Sequence, residues 1–142
     1  SSLPLVSKSL RVNSHTFLDG GVADSIPIRK SMDDGNTKNV VVLTREVGYQ
    51  KEPNSAIRLM KMRYPKSKAF VKKMANRHIR YNETLAFLEE EERAGRVFII
   101  RPQEKVQVGR IEKNREKLDA LYQIGLEDGR NAMADMKAYL EK

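Results

Sequence analysis

The tripeptide Asp19-Gly20-Gly21 has the residue types that a reactive site needs. A carboxylate can accept a proton from a hydroxyl that is held within about 2.6–3.2 Å of it. Glycines have no Cβ and permit a positive φ, so the turn that carries them can press closely against another backbone. The same tripeptide in isolation is also typical of a plain turn. The residues around the tripeptide are therefore needed to distinguish a reactive site from a plain turn.

Other reactive patterns are missing from the sequence. The G-x-S-x-G pattern places a serine nucleophile on a sharp turn, but the glycine pair with that spacing, Gly125 and Gly129, encloses Glu127. The two histidines, His15 and His78, have neither the spacing of a metal site nor that of a catalytic triad. A glycine-rich phosphate-binding loop is also absent. We therefore predict no metal, no cofactor and no nucleophile within this chain.

The net charge raises the question of an anionic partner. The chain has a formal charge of +8, with basic residues concentrated between Arg58 and Arg80 and an acidic block at Glu89–Glu92. No zinc-finger spacing, RNA-recognition signature or glycine-clamp loop accompanies the basic stretch, so we expect no nucleic acid partner. Met62 and Phe70 are among the apolar residues that alternate with the cations. This pattern fits core packing, which we favour, or peripheral contact with an anionic membrane.

Length and composition predict one domain, or one piece of a domain. The chain has 142 residues, of which 39% are hydrophobic and 32% charged, and its clear apolar runs argue against wholesale disorder. It has no cysteine. No apolar run approaches the roughly 18 residues that cross a bilayer, and the N-terminus lacks the order of a signal peptide. These features predict a cytoplasmic protein that can also contact a membrane peripherally.

Two short apolar runs predict buried strands of a parallel sheet, at Val40–Leu43 and Val97–Ile100. Between them, residues 56–94 have a helical periodicity that is broken at Pro65. Strand, helices and strand is the order that a crossover between parallel strands requires. The sequence therefore predicts the α/β class.

Helices are also predicted on either side of these strands. A short helix is expected between Ser25 and Gly35, with Ser25 as its cap, so that Asp19 lies just before a helix. Residues 112–140 predict one or two amphipathic helices with a break at Asp128-Gly129. These helices cover an exposed face of the sheet or, in a functional interpretation, bind a partner or form a lid.

Six segments together carry a resemblance to a known family: Phe17–Gly35, Leu43–Arg45, Gly48–Lys51, Asn76–Asn82, Arg96–Pro102 and Leu121–Gly125. They extend over nearly the whole chain. The chain resembles the C-terminal portion of a bacterial patatin-like phospholipase. The resemblance implies the C-terminal part of a three-layer α/β/α fold with mostly parallel strands, near 40–44 and 97–101, plus C-terminal helices. We expect residues 1–110 to form this α/β part and residues 111–142 to form a helical extension that packs on it.

The resemblance also implies an activity. Patatin-like proteins are lipid acyl hydrolases that cleave carboxylic esters with a serine-aspartate dyad, and Asp19 occupies the aspartate position of their D-G-G or D-G-A motif. Gly20 and Gly21 would give the motif its backbone support. The family's G-x-S-x-G serine and oxyanion loop would lie upstream, so the N-terminal half of the same protein is an expected partner. The expected substrate is a lipid or a small ester, and this chain alone is expected to be inactive.

The alternative to this enzyme belongs to another class of function. A non-catalytic, basic α/β module would bind anionic lipid, nucleic acid or a protein partner. The two hypotheses differ in what Asp19 does, because only the hydrolase needs its carboxylate.

Overall fold

The computed structural model describes residues 10–17, 19–105, 108 and 112–141. Its strands are β1 (Leu10–Val12), β2 (His15–Phe17), β3 (Asn39–Val42) and β4 (Val97–Ile100). Its α-helices are α1 (Ile28–Asp33), α2 (Ile57–Arg63), α3 (Lys68–Ala75), α4 (Arg77–Arg93) and α5 (Arg115–Glu141). The chain divides into two compact units, which are the residues up to Pro27 with Gln50–Phe87, and Ile28–Tyr49 with the residues from Leu88 onward.

The first described residues of the first unit form a β-hairpin. β1 and β2 pair in an antiparallel manner, with Val12 opposite His15. The two residues between them, Asn13 and Ser14, both have a positive φ, at 45° and 62°. A two-residue turn with both φ angles positive matches the twist of paired strands. The segment before Asp19 is therefore a strand over His15–Phe17, and Leu18 lies outside the described residues.

Helices α2 and α3 form the apolar core of the first unit. Met60, Val71 and Met74 are buried, and the rings of Tyr64 and Phe70 meet edge to face with centroids 5.1 Å apart. The break between the two helices falls at Pro65, as the sequence predicts, because the residue before a proline is disfavoured in the helical conformation. Tyr64, at the end of α2, accordingly has φ −127° and ψ 57°.

The second unit contains the parallel pair that the sequence predicts. β3 and β4 are parallel, in a register that places Asn39 opposite Val97 and Val42 opposite Ile100. The chain between these strands holds α2, α3 and α4, which is the long connection that parallel neighbours require. Val97 and Ile99 point into the core, and Leu88 of α4 is fully buried.

The prediction that both strands are buried is wrong for β3. Val40 and Val42 are 36% and 70% exposed, whereas Val97 and Ile99 on β4 are 2% and 9% exposed. In the part of the chain that the structure describes, the sheet has two strands. An apolar run of valines is typical of a strand covered on both faces, but such a run cannot reveal whether the covering elements belong to the same chain.

The C-terminal helix differs from its prediction in one respect. α5 continues without interruption from Arg115 to Glu141, so the predicted break at Asp128-Gly129 is wrong. A glycine inside a helix costs only about 1 kcal/mol relative to alanine, and the long helix on both sides offsets that cost. The C-terminal end of α5 contacts the sheet through Tyr139. The centroid of its ring lies 5.7 Å from the ring centroid of Phe98 on β4.

The predicted short helix before Gly35 is confirmed as α1, which ends ahead of a glycine with φ 90°. Its predicted cap is wrong, because the Ser25 hydroxyl donates to the carbonyl oxygen of Gly21 at 2.9 Å instead. The molecule is thus a mixed α/β protein with a small parallel sheet and a C-terminal helix. The expected domain boundary at residues 110 and 111 lies outside the described residues. No helix that the structure describes is long and apolar enough to span a bilayer.

Candidate functional site

The Asp19 carboxylate lies at the start of a single 3₁₀ turn, Gly20–Val22. Asp19 has φ −54° and ψ 131°, outside the helical region, and its Oδ1 accepts the backbone N–H of Gly21 at 2.8 Å. Its carbonyl oxygen also accepts the N–H of Val22 at 3.1 Å. A side-chain oxygen in this position satisfies a backbone donor that the turn leaves open. The carboxylate is therefore held in one orientation by its own turn and remains half-buried.

The two glycines of the motif serve different purposes, and neither uses a positive φ. The expectation that the motif exploits that freedom is therefore wrong. A Cβ on Gly21 would lie 2.9 Å from the Asp19 Oδ1 atom and 3.6 Å from Nη2 of Arg77, so a side chain here would displace the carboxylate. A Cβ on Gly20 would meet no described residue within 4 Å. Gly21 thus permits the contact with Asp19, while Gly20 faces open space.

Two arginines at the beginning of α4 hold the turn from the other side. Arg77 donates from Nε to the carbonyl oxygen of Gly21 at 2.9 Å and from Nη2 to the Ser25 hydroxyl at 3.0 Å. Arg80 donates from Nη1 to the carbonyl oxygen of Ala23 at 3.3 Å. Residues three apart on a helix lie on the same face, so both guanidinium groups reach the same short segment. The backbone after Asp19 is consequently fixed over several residues.

Sequence reasoning did not assign these arginines a role. Arg77 and Arg80 lie within one of the segments that carry the family resemblance, yet their partners are backbone carbonyl oxygens, which every residue type has. The residue types at Gly21 and Ala23 therefore do not reveal that their carbonyl oxygens accept these hydrogen bonds. The available signal was the spacing of three between two cations within the predicted helical stretch of residues 56–94.

The histidines lie elsewhere and contribute different contacts. The Nδ1 atom of His15 is 2.9 Å from the carbonyl oxygen of Asn13, within the β1–β2 hairpin. His78 is half-buried on α4, and its Nδ1 atom has no hydrogen-bond partner among the described residues. Neither geometry indicates a catalytic imidazole.

An ion pair with two hydrogen bonds lies in the second unit, at the connection between α4 and β4. Arg96 donates from Nε and Nη2 to the two carboxylate oxygens of Glu91, at 2.5 and 2.8 Å. The hydrogen bond from Arg96 holds the pKa of Glu91 below its usual value and raises the pKa of Arg96. Arg101, at the end of β4, donates to Glu92 at 2.7 Å. These pairs hold the residues directly before and after β4 to α4, so we assign them to stability.

Comparisons with known proteins cover the part of the chain that follows the Asp19 turn. Residues 67–141 match the profile of a domain of unknown function, DUF6363. The match includes α3, α4, β4 and α5, and hence Arg77 and Arg80, but it leaves out Asp19. No match was found among curated proteins or among solved structures. Because the match extends over more than half of the residues, the chain belongs to the DUF6363 family.

Proposed function

We propose that this chain is the C-terminal portion of a patatin-like lipid acyl hydrolase and that Asp19 is the base of its serine-aspartate dyad. The observation that carries the proposal is the way the Asp19 turn is held. Its carboxylate accepts the Gly21 N–H, and Arg77 anchors the Gly21 carbonyl oxygen from α4. The same bond can stabilise a plain turn, but a general base requires it, because its carboxylate must be held at hydrogen-bonding distance from its proton donor.

The chemistry requires a serine from the upstream half of the same protein. The serine hydroxyl gives its proton to Asp19 as its oxygen bonds to the ester carbonyl carbon. The alcohol then leaves with that proton, and an acyl-serine remains. A water molecule next gives a proton to Asp19 and its oxygen to the acyl carbon, which releases the acid and returns the proton to serine. In this sequence Asp19 holds or moves one proton at each step.

The open space at Gly20 supports this arrangement. A side chain at that position would meet nothing within 4 Å among the residues that the structure describes, so these residues leave room for another backbone to approach. Glycine is the residue that allows such an approach. In our proposal the strand-to-helix turn that carries the serine occupies this space and brings its hydroxyl to the Asp19 carboxylate.

The exposed strand β3 supports the proposed three-layer α/β/α fold. Val40 and Val42 present apolar surface, and in the described residues β3 pairs with β4 alone. An exposed apolar strand with an open edge is a liability that natural proteins cover. Further parallel strands and a helix from the upstream half would cover it.

The proposal is tested in the complete protein, by which we mean this chain joined to its upstream serine-bearing half. Asp19→Asn keeps an Oδ1 acceptor for the Gly21 N–H but removes the base. We expect the hydrolysis of a chromogenic carboxylic ester to fall by at least about 100-fold, the lower end of what general-base catalysis contributes.

Asp24→Asn is the matched control. Asp24 lies five positions away, and its Oδ1 accepts the N–H of Ile26 at 3.1 Å, a bond that asparagine also accepts. The variant should hydrolyse the ester at the wild-type rate. Full turnover in Asp19→Asn would rule out the dyad, and so would an equal loss in both variants.

The alternative, a non-catalytic basic module that binds anionic lipid, is favoured by the run of cations between Arg58 and Arg80. Under this alternative, Asp19→Asn has no effect on any activity, because the carboxylate would hold the turn and nothing more. Binding to vesicles that contain phosphatidylserine would then require the cations alone.

A further inference from the structure

The first unit contains a cavity that the proposed hydrolase does not use. It has a volume of about 530 Å³ and lies between α2 and α3, on residues of these helices and of the turn that joins them. Its apolar walls come from Tyr64, Val71 and Ala75, and its charged residues are Lys61, Lys68 and Lys72. This size falls within the range of roughly 300–1,000 Å³ that is usual for small-molecule sites.

The turn at Pro65 explains why a cavity forms here. α2 ends at Arg63 and α3 begins at Lys68, and the buried side chains of the two helices are Met60, Val71 and Met74. The ring of Tyr64 is held edge to face against Phe70, which fixes one wall. The cavity is therefore a product of ordered packing between the two helices.

The charge around the cavity is all of one sign. From Pro53 to Asn82 the chain has nine lysines and arginines and no aspartate or glutamate. Lys61, Lys68 and Lys72 are exposed. No ion pair joins these three lysines to a carboxylate in the described ranges. Their positive charge is therefore available to an anion.

We propose that this cavity binds a single-chain amphiphile with an anionic headgroup, such as a fatty carboxylate. The apolar walls take the hydrocarbon chain, and the three lysines bind the headgroup, in the way that apolar pockets use a few polar groups to orient a ligand. The site is separate from Asp19 and does not depend on the proposed hydrolysis. A nucleic acid would use the cations but would leave the apolar walls without a function.

The test measures binding to the 142-residue chain by isothermal titration calorimetry with decanoate below its micelle-forming concentration. We expect saturable binding of one decanoate per chain. Decanol has the same chain without a charge, decyltrimethylammonium has the opposite charge, and inorganic phosphate has no chain, so each should bind at least tenfold more weakly. No saturable binding of decanoate, or equal binding of any of these three, overturns the proposal.

Two variants locate the site. The triple variant Lys61→Gln, Lys68→Gln and Lys72→Gln should weaken decanoate binding at least tenfold. Its matched control, Arg58→Gln, Lys66→Gln and Lys73→Gln, removes the same charge from the same segment without touching the cavity lining, and it should bind as the wild type does. An equal loss in both variants means diffuse electrostatic attraction and overturns the proposal.

The second variant tests the apolar part of the site. Ala75→Leu keeps every lysine but fills the cavity from the end of α3, and circular dichroism confirms that the helices remain. We expect decanoate binding to fall at least tenfold. Wild-type binding in a folded Ala75→Leu chain shows that the hydrocarbon chain lies elsewhere, which contradicts the proposal.

Discussion

The turn that carries Asp19 in the first unit and the connection between α4 and β4 in the second unit are held in different ways. In the first unit, Arg77 and Arg80 donate to the backbone carbonyl oxygens of a turn. In the second unit, Arg96 pairs with the Glu91 carboxylate, and apolar packing surrounds Leu88. Hydrogen bonds to backbone oxygens fix the path of a loop, whereas ion pairs and packing fix whole elements against each other. A functional site needs the first kind of support, because its reactive groups must be held to within about 0.5 Å.

The largest effect that tests this difference is expected at Arg77. Arg77→Gln removes the guanidinium that donates to the Gly21 carbonyl oxygen and the Ser25 hydroxyl. Because Asp19 would lose its rigid turn, we expect kcat for ester hydrolysis by the complete protein to fall about tenfold, or roughly 1.4 kcal/mol in transition-state stabilisation, with KM unchanged.

Arg58→Gln is the control for this substitution, since Arg58 is an exposed cation of the same basic stretch. It should leave kcat at the wild-type value. A rise in KM with kcat unchanged in Arg77→Gln would assign Arg77 to substrate binding and contradict a positioning role.

A smaller effect is expected at Tyr139 in the second unit. Its hydroxyl accepts the N–H of Asn39 at 3.0 Å and donates to the carbonyl oxygen of Arg96 at 2.7 Å, so it joins the chain at the beginning of both strands. Tyr139→Phe keeps the ring against Phe98 and removes these bonds. We expect the free energy of unfolding to fall by about 1 kcal/mol, as measured by urea denaturation.

Tyr122→Phe provides the comparison on the same helix, because Tyr122 is 65% exposed. Tyr122→Phe should change the free energy of unfolding by no more than about 0.5 kcal/mol, as other surface substitutions do. An equally small effect of Tyr139→Phe would show that the hydroxyl does not hold α5 to the sheet.

The smallest effect concerns acid stability. Because the pKa of Glu91 is lowered in the folded protein by Arg96, this pair stabilises the fold fully above the ordinary glutamate pKa of about 4.3. Its contribution is lost as the pH falls through the lower pKa of the folded state. The difference in stability between the wild type and Glu91→Gln should therefore shrink as the pH drops below about 4.3.

Urea denaturation at several pH values measures this difference. Glu90→Gln, which removes the charge of an exposed neighbour on α4, is the matched control at each pH. A stability difference for Glu91→Gln that stays constant with pH would show that the carboxylate is not stabilised by Arg96.

The sequence predicts elements better than it predicts their surroundings. The parallel strands β3 and β4 and the helix break at Pro65 follow from local patterns, namely apolar runs and the stereochemistry of proline. The exposure of Val42 does not, because burial depends on what packs against a strand. The continuous helix through Gly129 was missed because one glycine weakens a helix by less than its neighbours support it.

In the candidate site, too, the local motif can be predicted from the sequence, but the contacts that support it cannot. Asp19 and its glycines are visible as a motif, and the role of Gly21 depends on the missing Cβ, which the residue type shows directly. The support from Arg77 and Arg80 depends on a contact between residues more than fifty positions apart. Such a contact requires the folded chain.

The most direct test of the central proposal, that Asp19 is the base for a serine, is the rate at which a fluorophosphonate labels the complete protein, followed by intact mass spectrometry. We predict a single adduct on the upstream serine, no adduct on the 142-residue chain alone, and labelling that is at least about 100-fold slower in Asp19→Asn but unchanged in Asp24→Asn. An adduct on the isolated chain, or equal labelling of Asp19→Asn and the wild type, would contradict it.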